Sequence, residues 1–140
     1  MAREPVRHLV LDSEAASALL SSTPVSPKRA TVIMAIAAAN GQRVVPTAVR
    51  GESGWDRTDP SRANANRLIR VDEILDRPAG DRVAQLRTAV VRASVVDAAV
   101  AVAAERVGGD GGVVEILTSD VGDLRELSTH IRARVEIVRL

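Results

Sequence analysis

Cysteine, phenylalanine and tyrosine are missing from this chain, and lysine occurs once, at Lys28. Without cysteine there is no disulfide and no thiolate ligand, so any metal must be held by oxygen or by one of two histidines. With Trp55 as the lone aromatic, no set of rings exists on which nucleic-acid bases could stack. No apolar run approaches the ~18 residues of a membrane helix. The opening Met1-Ala2-Arg3-Glu4-Pro5 lacks the apolar stretch of a secretory signal. The expectation is a cytoplasmic protein with no membrane contact. A net charge of +1 excludes a bulk-basic nucleic-acid binder.

What is present fits one globular domain covering residues 1–140. The chain is long enough to bury a real core, with 46% hydrophobic and 26% charged residues. Apart from Lys28, every basic side chain is an arginine, the residue whose rigid fork binds phosphate in bidentate fashion. A GC-rich genome would also encode an arginine- and alanine-rich, lysine-poor chain.

Apolar runs and helical periodicities alternate along the sequence, which predicts an α/β fold with a mainly parallel sheet of about five strands. Strands are expected at His8–Leu11, Arg43–Val45, Arg70–Leu75, Val113–Leu117 and Arg134–Arg139. Helices are expected at Ser13–Ser21, Lys28–Ala39 and from Pro46 through Glu52. Further helices follow at Ala63–Ile69, from Pro78 to about Arg92, from Ser94 to Gly108 and over Asp120–His130. Pro24 and Pro27 break the chain between the first two helices. Gly108-Gly109-Asp110-Gly111-Gly112 follows a helix and precedes a strand, the wrong order for a phosphate-binding loop, and reads as a helix stop and turn.

Carboxylates recur at the ends of these elements. Asp12 follows the first strand, Glu52 lies beyond Val44-Val45-Pro46, Asp97 interrupts an apolar stretch, and Asp120 and Asp123 follow Val113–Leu117. Each has a local explanation. Asp12 and Asp120 stand where helix caps belong. Ser94-x-x-Asp97 resembles a capping box, and Asp123 falls in a first helical turn. Glu52, near a helix end, has no capping role and reads alone as a solvated glutamate. Taken together they suggest more, because ligands of open parallel sheets bind at the carboxyl ends of the strands. Converging carboxylates repel and lose hydration, and a hard divalent cation offsets that cost. His8 and His130 read as surface or capping histidines.

The motifs resemble those of PIN-domain ribonucleases of the VapC toxin type. Leu9-Val10-Leu11-Asp12-Ser13 is similar to the family's opening strand and first aspartate, and Val45-Pro46-Thr47-Ala48-Val49-Arg50-Gly51-Glu52 to its second motif. Val95-Val96-Asp97-Ala98-Ala99-Val100-Ala101 resembles the third, and Leu117-Thr118-Ser119-Asp120-Val121-Gly122-Asp123-Leu124 the fourth. Gly51 stands where such members usually carry alanine. The resemblance implies a three-layer α/β/α domain and a Mg²⁺- or Mn²⁺-dependent endoribonuclease. Asp12, Glu52, Asp97 and Asp120 would hold the metal with help from Asp123, and the metal would activate water for attack on an RNA phosphodiester. Arg50, Arg57 and Arg62, with Thr118 and Ser119, are the candidates for substrate contacts. A VapB-like antitoxin and a homodimer are the implied partners, with Trp55 either an interface anchor or a packing residue. The alternatives are a PIN-like binding module without catalysis and a phosphotransfer domain. The latter would need a lysine near the final strand, where Lys28 does not fall.

Overall fold

The computed structural model describes residues 4–21 and 26–140. Five strands form one parallel sheet: β1 (Arg7–Leu11), β2 (Arg43–Pro46), β3 (Val71–Glu73), β4 (Val113–Thr118) and β5 (Val135–Arg139), in the order β3-β2-β1-β4-β5. Register runs Val10↔Val44 between β1 and β2, and Val10↔Ile116 between β1 and β4. Strand order therefore reverses between β1 and β4, which places the sheet's natural ligand crevice at the ends of those two strands.

Among the described residues, seven α-helices connect the strands: α1 (Ser13–Leu20), α2 (Pro27–Ala38), α3 (Thr47–Ser53), α4 (Ala63–Leu68), α5 (Arg77–Ala89), α6 (Val95–Val107) and α7 (Val121–Ser128). Right-handed crossovers carry α1 and α2 to one face of the sheet and α5, α6 and α7 to the other. The packing agrees: α1 lies on α2, and α6 lies on α5, α7 and the central strands. The result is the expected three-layer α/β/α domain. α3 touches both α1 and α6, so the segment carrying Glu52 sits between elements of the two helical layers.

The core follows from composition. Leu9, Val10, Leu11, Ile116 and Leu117 are fully buried at the sheet centre, each side chain contributing about 1.5–3 kcal/mol by leaving water. From Ala98 to Ala104, α6 is buried at every position, the mark of a helix covered on all sides. Its alanines leave room for the backbone to approach the sheet closely. Asp97, one residue before that run, is fixed at the edge of the core by its place in the helix.

Element boundaries differ from expectation where tertiary partners end. β3 is shorter than Arg70–Leu75 because β2 stops at Pro46, paired with Glu73, leaving nothing for residues 74 and 75 to pair with. The Leu75 N–H bonds the Thr47 hydroxyl instead. α5 stops at Ala89 rather than near Arg92, because Val90 leaves the helical region and starts a turn closed by the Ala93 N–H. α7 ends at Ser128, short of His130. α3 ends at Gly54, whose φ of 71° is the left-handed conformation that glycine reaches without penalty. The glycine run is a short 3₁₀ turn over Gly108–Asp110 followed by a bend into β4. Pro27 is the first residue of α2, whereas Pro24 lies outside the described residues.

Candidate metal centre

β1 delivers Asp12 to the crevice. Its side chain accepts the Ala15 N–H at 2.8 Å, so it caps α1, yet only 5% of the residue is exposed. The Thr118 hydroxyl also bonds this carboxylate. Burial raises the Asp12 pKa, with the nearby Glu14 charge adding to the effect and the Thr118 and Ala15 hydrogen bonds opposing it. Thr118, fully buried at the end of β4, accepts the Asp120 N–H on the same hydroxyl oxygen at 2.8 Å. One side chain thus joins the first aspartate to the backbone that carries the fourth motif.

α6 and α7 supply the other acids. Carboxylate oxygens of Asp97, Asp120 and Asp123 lie within 4.8 Å of one another. Capping accounts for only part of this. The Ser94 hydroxyl caps α6 by accepting the Asp97 N–H at 3.0 Å. Asp120 occupies the N-cap position of α7 but makes no side-chain cap bond, and its carboxyl group meets that of Asp97. Burial, then the charge of Asp120 and a hydrogen bond shared with it, raise the Asp97 pKa from 3.8 to about 6, with Asp12 contributing further. Asp97 is therefore electrostatically coupled to Asp120 and Asp12, with the Asp123 carboxylate close beside Asp97 and Asp120. Glu52 is exposed on α3 and lies outside the three-residue cluster.

An unexpected chain of contacts borders this centre. Glu14, in the first turn of α1, accepts from the Ser119 hydroxyl and from Lys28 of α2. Ser119 is thus tied to a side chain the sequence reading did not single out, and the sole lysine stands at the rim of the site. The only available signals were the acid two residues after Asp12 and the singularity of Lys28.

The arginine candidates separate. Arg50 and Arg57 both pair with Asp72 at 2.9 Å. Arg50 also donates to the Trp55 carbonyl, and Arg57 to Asn66 and the Ile69 carbonyl. Both guanidinium groups are engaged in holding the Gly54–Ile69 segment onto β3. Arg62 donates to the Leu20 carbonyl at 3.3 Å and, among the described residues, forms no ion pair, although its charge acts on Asp59. Trp55 is a packing residue: it is 2% exposed, its Nε1 donates to Asn66, and Arg57 covers its ring. His8 is neither a surface nor a capping residue. It is buried in β1, where Nδ1 accepts the Gln42 N–H at 2.9 Å because the neighbouring backbone needs an acceptor there.

The donor set suits a hard divalent cation. It is all oxygen, it concentrates charge of one sign, and a cation would offset the burial and the repulsion that raise the Asp97 pKa.

No family profile matches the chain, and no curated protein matches it. Among solved structures, it is similar to FitAB bound to an IR36 DNA fragment, with a TM-score of 0.56 and 15% identity over 92% of this chain and 94% of that one. At that identity the likeness speaks for the fold, and the architecture is PIN-like. Among the described residues, no helix is long and apolar enough to cross a membrane.

Proposed function

We propose that this protein is a metal-dependent endoribonuclease of the VapC toxin type, restrained by a VapB-like antitoxin. One observation carries the reading: Asp97, Asp120 and Asp123 bring their carboxylates together at the strand-order reversal, and the Asp120 side chain serves no cap there. The PIN-like fold and the similarity to FitAB support the same class.

Asp97, Asp120 and Asp123 would hold Mg²⁺ or Mn²⁺, with Asp12 completing the set and Glu52 approaching from α3. Bound there, the cation supplies Lewis-acid polarisation of a phosphodiester and activation of water. The protein's own residues prepare for it. Thr118 fixes the Asp12 carboxylate and the Asp120 backbone with one hydroxyl group. Ser94 anchors the start of α6 and with it Asp97. The Glu14 contacts with Ser119 and Lys28 hold the loop after β4 against α1 and α2. No histidine stands among these groups, so proton transfer falls to carboxylates and water. Exposed Val71, Ile74 and Leu75 beside the open edge of β3 offer apolar surface for a homodimer. A cytoplasmic RNA substrate belongs to the same reading.

The test is RNA cleavage by the purified protein with Mg²⁺ or Mn²⁺, against EDTA and against Asp97→Asn. Cutting lost in both controls supports the nuclease and its site together. A folded protein that neither cuts RNA nor binds the metal in calorimetry would leave a binding module of the same fold.

A further inference from the structure

Arg62 does not stand alone. Together with Arg29 of α2 it lines a cavity of about 590 Å³ formed by the end of α1, the start of α2 and the segment entering α4. Leu19 and Leu20 form its apolar side, and Ser61 and Asn64 add polar groups. No carboxylate is among the described lining residues. Among the described residues, the Nε atoms of both arginines are buried without a hydrogen-bond partner, as is that of Arg43. Neither arginine forms an ion pair among the described residues, in contrast to Arg50 and Arg57. A buried donor without an acceptor costs about 1–3 kcal/mol. Two arginines that form no ion pair among the described residues line this one cavity, and their positive charge makes it a place for an oxyanion.

Its position ties it to the carboxylate centre. α1 is capped by Asp12 and ends at Leu20 beside the cavity, eight residues later, a rise of roughly 12 Å. The first turn of α2 spans the same interval: Lys28 reaches Glu14 at the rim of the centre, and Arg29, the next residue, lines the cavity. A single strand whose scissile phosphate lay at the carboxylates would carry a neighbouring phosphate within reach of the arginines, well inside the footprint of a single-strand groove.

We propose that Arg29 and Arg62 form a phosphate subsite for the RNA strand flanking the cleaved bond. This rests on the nuclease reading for its purpose but not for its measurement. The subsite binds a phosphodiester, and its recognition is of the backbone, independent of base identity. It moves the substrate grip from Arg50 and Arg57, which Asp72 engages, to a pair that forms no ion pair among the described residues, with Asp59 the acid near Arg62.

The experiment is fluorescence anisotropy of a fluorescein-labelled twelve-nucleotide single-stranded RNA, in EDTA so that nothing is cleaved, across a range of salt concentrations. Arg29→Gln and Arg62→Gln each weaken binding roughly tenfold. Each also lowers the slope of log K against log salt by about 0.7, the loss of one phosphate contact. Arg134→Gln, an exposed arginine preceding β5, changes neither. In a second measurement on the unaltered protein, inorganic phosphate shifts the Nε–H resonances of Arg29 and Arg62 in nitrogen-15 NMR spectra. Unchanged slopes in both variants, or phosphate shifts at other arginines only, overturn the proposal. So does an acidic peptide that perturbs these two resonances when the RNA does not. If RNA binding follows the prediction while Asp97→Asn leaves cleavage intact, the subsite stands and the metal-site reading falls. If Asp97→Asn abolishes cleavage and the arginine variants bind normally, the reverse holds.

Discussion

Around Asp72, two guanidinium groups converge on one carboxylate. Around Asp97, three carboxylates converge, and none of them forms an ion pair among the described residues. Both clusters are partly shielded from water, so charge is costly in each. At Asp72 the cost is offset inside the chain: Arg50 and Arg57 neutralise the acid, and their remaining donors meet backbone carbonyls. At Asp97 it is left standing, and the rise of its pKa to about 6 is the visible result. The first arrangement holds a loop to a strand. The second keeps a concentrated negative field that only an incoming positive group relieves. The lesson is that charge number does not separate structural from functional clusters in this chain, whereas charge balance does.

The sharpest way to break the comparison is Asp97→Asn. Removing one repelling charge is expected to cut metal-dependent RNA cleavage by at least about 100-fold while raising the melting temperature of the metal-free protein. A variant that lost stability along with activity would place Asp97 with Asp72 as a structural acid. Next, added Mg²⁺ or Mn²⁺ at about a hundred times its dissociation constant should stabilise the unaltered protein by about 2.7 kcal/mol, and Asp97→Asn by far less at the same concentration. Chemical denaturation measures both.

Asp72→Ala inverts the pattern. It strands two arginines and should cost about 2 kcal/mol in denaturant unfolding, below the full value for a buried pair because the cluster is partly solvated. The metal dissociation constant should stay unchanged. The pH dependence is smaller. Asp97 holds its proton more tightly in the folded state, at about 6 against 3.8. The metal-free protein should therefore lose stability as pH rises from about 4 to about 6, by about 1 kcal/mol once screening of this half-exposed group is allowed for. Asp12 is shifted in the same direction, and saturating metal should flatten the profile. The smallest effect is expected from Arg92→Ala, whose exposed pair with Glu126 should contribute less than about 0.5 kcal/mol.

Strand and helix order was legible because period and punctuation are local properties. Ala98–Ala104 announces a buried helix by its unbroken alanine and valine, and Ser94 announces the helix start. The alignment of Asp12 with Asp120 was legible for a topological reason, since both follow strands that a parallel sheet sets side by side. Side-chain allegiances across the fold were not legible. Nothing local to Arg50 or Arg57 points to Asp72, and nothing near Glu14 tells that Lys28 will reach it from another helix. Trp55, among polar neighbours, was left open and His8, at the head of an apolar run, was misread, because their burial is decided by Asn66, Arg57 and the Gln42 backbone. Arg29 gave no sign of its role, because a cavity is a property of three segments at once.

Lys28 carries a practical consequence. It is the chain's one ε-amine, and it is bonded to Glu14 at the rim of the carboxylate centre. Amine-directed coupling to a sensor chip, a bead or a dye would fasten the molecule beside the surface meant to be probed. It would also remove the charge that holds α2 to α1. Immobilisation through a cysteine placed on the far edge of the sheet avoids this, and the absence of any native thiol makes that attachment unique.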